Sequence, residues 1–145
     1  MIDLGDLGAW LLKGNADAAD LAARFALRPR VDQWCVRPGY RIRLMQARQP
    51  VLFWASGSRG GLPYGIWGSG HLAGEPSLDP GDGRWHVPLD LVIADPAHWV
   101  RRDELRADPR LRDLEVLRQP QGSNPSYVTV AQMAALSGYL PPRRL

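Results

Sequence analysis

Apolar residues fall in short runs broken by glycine and proline, and the period changes from run to run. Ala9 to Lys13 (AWLLK) is an apolar run closed by Gly14-Asn15 and predicts a strand. Beyond it Leu21 and Phe25 lie four apart with Ala18 and Ala22 beside them, which predicts a helix from about Ala16 to Leu27. Asn15 is a good N-cap for that helix, Asp17 and Asp20 suit its positive end, and Pro29 stops it. Val31 to Arg48 has no clear period and a Pro38-Gly39 turn, so it reads as loop with one helical turn around Tyr40 to Met45.

From Pro50 the pattern becomes two-residue. Val51, Phe53 and Ala55 alternate with Leu52, Trp54 and Ser56, and Gly57-Ser58-Arg59-Gly60-Gly61 is a turn into a second strand over Tyr64 to Leu72. Gly68 and Gly70 share a face of that strand, which implies close backbone approach or curvature. Gly74 to Gly83 reads as loop. Trp85, Val87, Leu89, Leu91 and Ile93 then alternate with polar positions, with Pro88 predicting an edge or a bulge. Arg101 to Arg106 reads as a short helix and Leu114 to Leu117 as a further strand. Thr129 and Gln132 form a capping box for a last helix over Val130 to Ser137, with Val128 and Met133 as its staple and Gly138 as its stop.

These elements fit in one domain over residues 1–145, with no internal repeat and no separating linker. A chain of this size buries roughly 70% of its unfolded surface. No apolar run reaches the roughly 18 residues of a membrane span. Asp3 and Asp6 stand where a secretory signal would carry positive charge, and the single Cys35 has no internal disulfide partner. The expectation is a cytoplasmic protein with no membrane association.

The net charge of +3 hides an uneven distribution. Between Arg24 and Arg48 seven arginines stand against one acid, Asp32, whereas the six between Arg101 and Arg118 are interleaved with acids. A GC-rich genome alone would favour arginine over lysine, but the first cluster is also a candidate electrostatic footprint on nucleic acid. Six tryptophans are an excess, and of these Trp34, Trp54 and Trp67 are the candidates for base stacking, Trp85 and Trp10 for packing.

Catalytic patterns are poor. The three histidines are scattered, no zinc-type spacing or nucleophile elbow exists, and Gly68-Ser69-Gly70-His71-Leu72-Ala73 lacks the helix a dinucleotide fingerprint needs. Cys35 reads as a small packing residue, or as a nucleophile paired with a histidine. No catalytic residue, metal or cofactor is expected.

The succession Trp10-Leu11-Leu12-Lys13, Trp34-Cys35-Val36-Arg37 with Tyr40 and Arg41, Phe53-Trp54-Ala55-Ser56-Gly57, Gly65-Ile66-Trp67-Gly68, Trp85-His86-Val87-Pro88 and Arg118-Gln119-Pro120-Gln121-Gly122-Ser123 resembles the EVE domain. That family belongs to the PUA-like superfamily and is similar in architecture to the YTH domain, a reader of methylated adenine in RNA. The resemblance implies a mixed α/β fold, a curled sheet or pseudo-barrel with peripheral helices. It also implies a pocket near the first strand that takes a modified base of DNA or RNA. Trp34, Trp54, Val36 and Tyr40 map to that pocket with Lys13, Gly14, Asn15 and Ser56, while Arg37, Arg41 and Arg43 are the expected phosphate contacts. Two departures stand out: Lys13-Gly14-Asn15-Ala16 replaces a Lys-Ser-Glu-Pro common in relatives, and Pro38 replaces an asparagine. A nucleoside-binding regulator without a polymer partner and an enzyme acting on nucleotides are the alternative readings.

Overall fold

The computed structural model describes residues 2–57 and 61–141. In chain order its elements are β1 (Leu7–Asn15), α1 (Ala16–Ala19), α2 (Leu21–Leu27), β2 (Arg30–Val36), β3 (Pro50–Ser56), β4 (Gly65–Leu72), β5 (Ser77–Asp79), β6 (Arg84–Ile93), β7 (Val100–Arg101), α3 (Arg102–Ala107), α4 (Glu115–Arg118), β8 (Ser126–Thr129) and α5 (Val130–Leu136). The strands form one sheet in the order β2-β6-β4-β3-β1-β8, with β5 on β6 and β7 on β4. β1 and β3 pair in parallel and the remaining pairs are antiparallel.

Burial on both faces explains the continuous apolar runs. Along β1 and β3, Trp10, Leu12, Val51 and Phe53 enter one core, while Ala9, Leu11, Leu52 and Trp54 enter a second on the opposite face. A strand covered on both sides loses nothing by carrying apolar residues at every position. β6 buries Val87, Leu89, Leu91 and Ile93 in the first core and packs Trp85 against it, all on one face, and therefore alternates. Gly68 and Gly70 lie against β6, where an added Cβ would come within 2.5 Å of Val92 O and 2.0 Å of Asp90 O, as their shared face implies. The sheet is a curled, mixed one that does not close into a barrel. Its end strands come near each other where Arg37, just past β2, donates its N–H to the carbonyl of Asn124, just before β8 (3.0 Å).

Several local expectations are corrected. The helix expected over Ala16 to Leu27 is two helices, because Asp20 turns into the left-handed region (φ 49°) between them. Asn15 caps the first, accepting from Asp17 N–H and Ala18 N–H. The first part of the expected Val31–Arg48 loop is in fact β2, whereas the helical turn expected around Tyr40 to Met45 is present as a 3₁₀ turn at Arg41–Leu44. Pro88 lies inside the sheet at a register shift opposite Gln33, so the bulge alternative holds. Leu114 to Leu117 is not a strand, since α4 begins at Glu115. The expected Gly74–Gly83 loop contains β5. Ser58, Arg59 and Gly60 of the expected turn lie outside the described residues. The last helix is as expected, with both halves of its capping box formed.

Candidate nucleic-acid interface

The site grows from the seam at which β1, β2 and the segment before β8 meet. Its centre is Asn124, whose side-chain amide pairs with the backbone of Lys13: Lys13 N–H donates to Oδ1 (2.8 Å) and Nδ2 donates to Lys13 O (3.0 Å). Nδ2 also reaches Cys35 O at 3.4 Å. An amide alone among neutral side chains offers a donor and an acceptor side by side, so it can close a strand edge as another peptide would. Asn124 escaped the sequence reading although it directly follows the Gln119 to Ser123 run; an asparagine before a proline signals a turn, not a seam.

Trp34 leans on this seam. Its indole Nε1–H donates to Lys13 O (3.0 Å) and its ring meets Phe53 edge-on at 5.0 Å between centroids. A Cβ on Gly14 would lie 2.7 Å from both Trp34 Cζ2 and Phe53 Cζ. The departure at Gly14 is thus a packing requirement: serine has no room there. Asn15 is adjacent, its side chain engaged in capping, and Ser56 Oγ lies 3.5 Å from Gly14 O. The structure therefore brings Lys13, Gly14, Asn15, Trp34 and Ser56 together at the end of β1. Trp54 does not join them. It is 3% exposed and packs in the second core, because alternation along β3 turns Phe53, one residue earlier, toward Trp34. Trp67 is likewise core, stacked on Trp99 at 3.8 Å.

Three clefts adjoin the loop after β2, and Pro38 is a wall of each. One, of about 440 Å³, lies among Cys35, Val36, Arg37, Arg84, Trp85 and Asn124. A second, of about 390 Å³, has Tyr40, Arg41, Glu115, Ser123 and Asn124 among its walls. The third, of about 300 Å³, runs past Arg43, Met45, Glu75 and Trp85. Trp34 is half-buried and lines none of them. Trp85 does: it packs against the first core, as its strand position predicts, and also lines the clefts of 440 and 300 Å³.

The arginines differ in what they hold. Arg37 and Arg43 are exposed, and the Arg37 guanidinium donates to Ser123 Oγ at 3.3 Å. Arg41 is committed: its two terminal nitrogens grip both Glu115 oxygens (2.5 and 2.8 Å) and one also reaches Pro125 O. That grip engages three of the five guanidinium N–H donors, which makes Arg41 a poorer candidate for a phosphate contact than the exposed Arg37 and Arg43. Burial raises the Glu115 carboxyl, but the hydrogen bonds and charge of Arg41 outweigh it and hold the group below its usual range. Burial pushes the Lys13 ammonium below its usual range, Arg41 adds to that, and Glu115 opposes it.

Among the described residues, Asp79, Asp82 and His86 bring carboxylate and imidazole atoms within 4.8 Å of one another. Both carboxylates are exposed and Asp82 already bonds His86 and Arg84 N–H, so no metal is assigned to the group. Among the described residues no helix is long and apolar enough to cross a membrane.

No family model matches the chain, and no curated protein matches it in sequence. Its fold matches solved structures over nearly their whole length. A hypothetical protein from Leishmania major is 17% identical with a TM-score of 0.68, the match covering 94% of this chain and 96% of that one. A protein from Rhodopseudomonas palustris, solved by NMR, is 18% identical with a TM-score of 0.61, covering 92% of each chain. Human THYN1 in complex with DNA containing 5-methylcytosine is 17% identical with a TM-score of 0.59, covering 93% of this chain and 99% of that one. At these identities the likeness establishes a common fold.

Proposed function

We propose that this chain is a nucleic-acid-binding module of the EVE kind that accepts a modified base without catalysing a reaction on it. The observation that carries the reading is the loop from Arg37 to Arg43, where three clefts meet at Pro38 between exposed arginines and aromatic faces. Arg37, Arg43 and Arg84 supply cations for a phosphate backbone, and Trp85 and Tyr40 supply surfaces on which a base can stack. Human THYN1, of the same fold, is found with methylated DNA, which supports the choice of ligand. In this reading the base lies against Trp85 with Asn124 and Ser123 near its edge, and Trp34 is a positioning residue that holds the Lys13 backbone.

The test is oligonucleotide binding by fluorescence anisotropy, with strands containing 5-methylcytosine and matched unmethylated strands. Trp85→Ala is expected to weaken binding by about 1–3 kcal/mol, the worth of one stacked base. The methyl group itself adds about 0.8 kcal/mol, or roughly fourfold. Failure of the unaltered protein to bind either strand sinks the proposal. Trp34→Ala is expected to lower stability first; if it instead abolishes binding in a fully folded protein, the base sits at the end of β1.

A further inference from the structure

Cys35 and His86 are paired residues of the β2–β6 ladder. The sulfur lies 3.8 Å from His86 Nδ1, and Nε2 of the same ring lies 2.7 Å from Asp82 Oδ2. Asp82 is itself fixed, because its other oxygen accepts the Arg84 N–H at 2.8 Å. Thiol, imidazole and carboxylate in series is the arrangement in which a base removes the proton of a nucleophile while a third group orients the base. Cys35 is half-buried and is among the residues that line the 440 Å³ cleft. Arg37 and Arg84 stand at that cleft, so an electrophile bearing negative charge is favoured there.

We propose that Cys35 is a nucleophilic thiol with His86 as its base and Asp82 as the group orienting His86, and that it forms mixed disulfides with small carboxylate-bearing disulfides. His86 Nδ1 takes the thiol proton and the sulfur attacks one sulfur of the reagent. The reagent's S–S bond breaks, and the departing thiolate takes the proton back from His86. Cys35 is oxidised and the released half of the reagent is reduced, so no other oxidant enters. The cleft is the one in which the base is proposed to lie, but the thiol chemistry is read and tested without nucleic acid and does not rest on that reading.

Because the chain has one cysteine, intact mass reports modification at a single site. The full chain is incubated with oxidised glutathione, and separately with iodoacetate and iodoacetamide, alongside N-acetylcysteine as the reference thiol. Expected is mixed-disulfide formation about tenfold or more faster than the reference, with most of that excess lost in His86→Gln and in Asp82→Asn. Asp82 is an exposed turn residue, so Asp82→Asn carries the comparison if His86→Gln does not fold. The ratio of iodoacetate to iodoacetamide rates is expected to exceed that of the reference and to fall in Arg84→Gln. A rate equal to the reference, or an excess unchanged in folded Asp82→Asn, overturns the activated thiol. A ratio equal to the reference overturns the preference for anionic reagents.

Discussion

At Gly14 the obstacle to a side chain is the edges of two aromatic rings, neither of which can swing aside as a flexible chain would. Overpacking of this kind costs about 1–3 kcal/mol, and that loss is expected for Gly14→Ala in urea unfolding. Combining it with Trp34→Leu, which shortens one of the two neighbours, is expected to recover part of the loss; strict additivity would show that Trp34 is not what fills the space. Arg41 and Glu115 give a second residue-scale expectation. Glu115→Gln removes the charge from a bidentate pair and should cost about 2 kcal/mol at neutral pH. The sign of the pH effect follows from the direction of the shift. The folded carboxyl is held below its unfolded value, so its stabilisation is complete above the ordinary carboxylate range and disappears as pH falls through the depressed folded value. Unfolding of the parent and of Glu115→Gln should therefore converge in acid, and parallel curves would remove Glu115 from the account.

Among the elements, those covered on one face or on both were legible and those at the margin were not. β6 alternates because only one of its faces is buried, and β3 is apolar throughout because both are. β2 was missed since it buries only Val31 and Val36 fully, five residues apart across a register shift, which erases the period of two. α4 was read as a strand because four residues cannot distinguish one period from another, and its buried Val116 suits either. The break at Asp20 is a left-handed residue with no glycine to announce it. Asn124 is what ties the poorly legible β2 to the legible β1. Asn124→Asp keeps an acceptor for Lys13 N–H but sets a carboxylate against the Lys13 and Cys35 carbonyls. A loss of about 1–3 kcal/mol is expected, with faster amide exchange at Lys13 and Arg37 than elsewhere in the sheet. Uniform acceleration across the sheet would show that Asn124 does not define a local seam.

At the scale of the whole molecule, the arginine cluster was visible in the sequence but the division of labour within it was not. Arg41 and its partner Glu115 are 74 residues apart, and only the folding of α4 against the start of β8 reveals that this guanidinium is gripped by a carboxylate. Arg84 is the converse case, lying outside the cluster yet standing with Arg37 at one cleft. The footprint proposed above is thus Arg37, Arg43 and Arg84, and its size can be read from salt. Each phosphate neutralised steepens the fall of log K with log salt by about 0.7 on a single strand and about 0.9 on a duplex. Three contacts predict a slope between about −2 and −3, and replacing any one of the three by alanine should flatten it by about one contact. Arg41→Ala makes the sharper test because charge counting and geometry disagree about it. Counting predicts the same flattening as for Arg37, whereas the grip of Glu115 predicts an unchanged slope together with a lower unfolding midpoint. Should Arg41→Ala flatten the slope while the protein remains as stable as before, the guanidinium has left Glu115 for a phosphate, and the footprint must be redrawn around it.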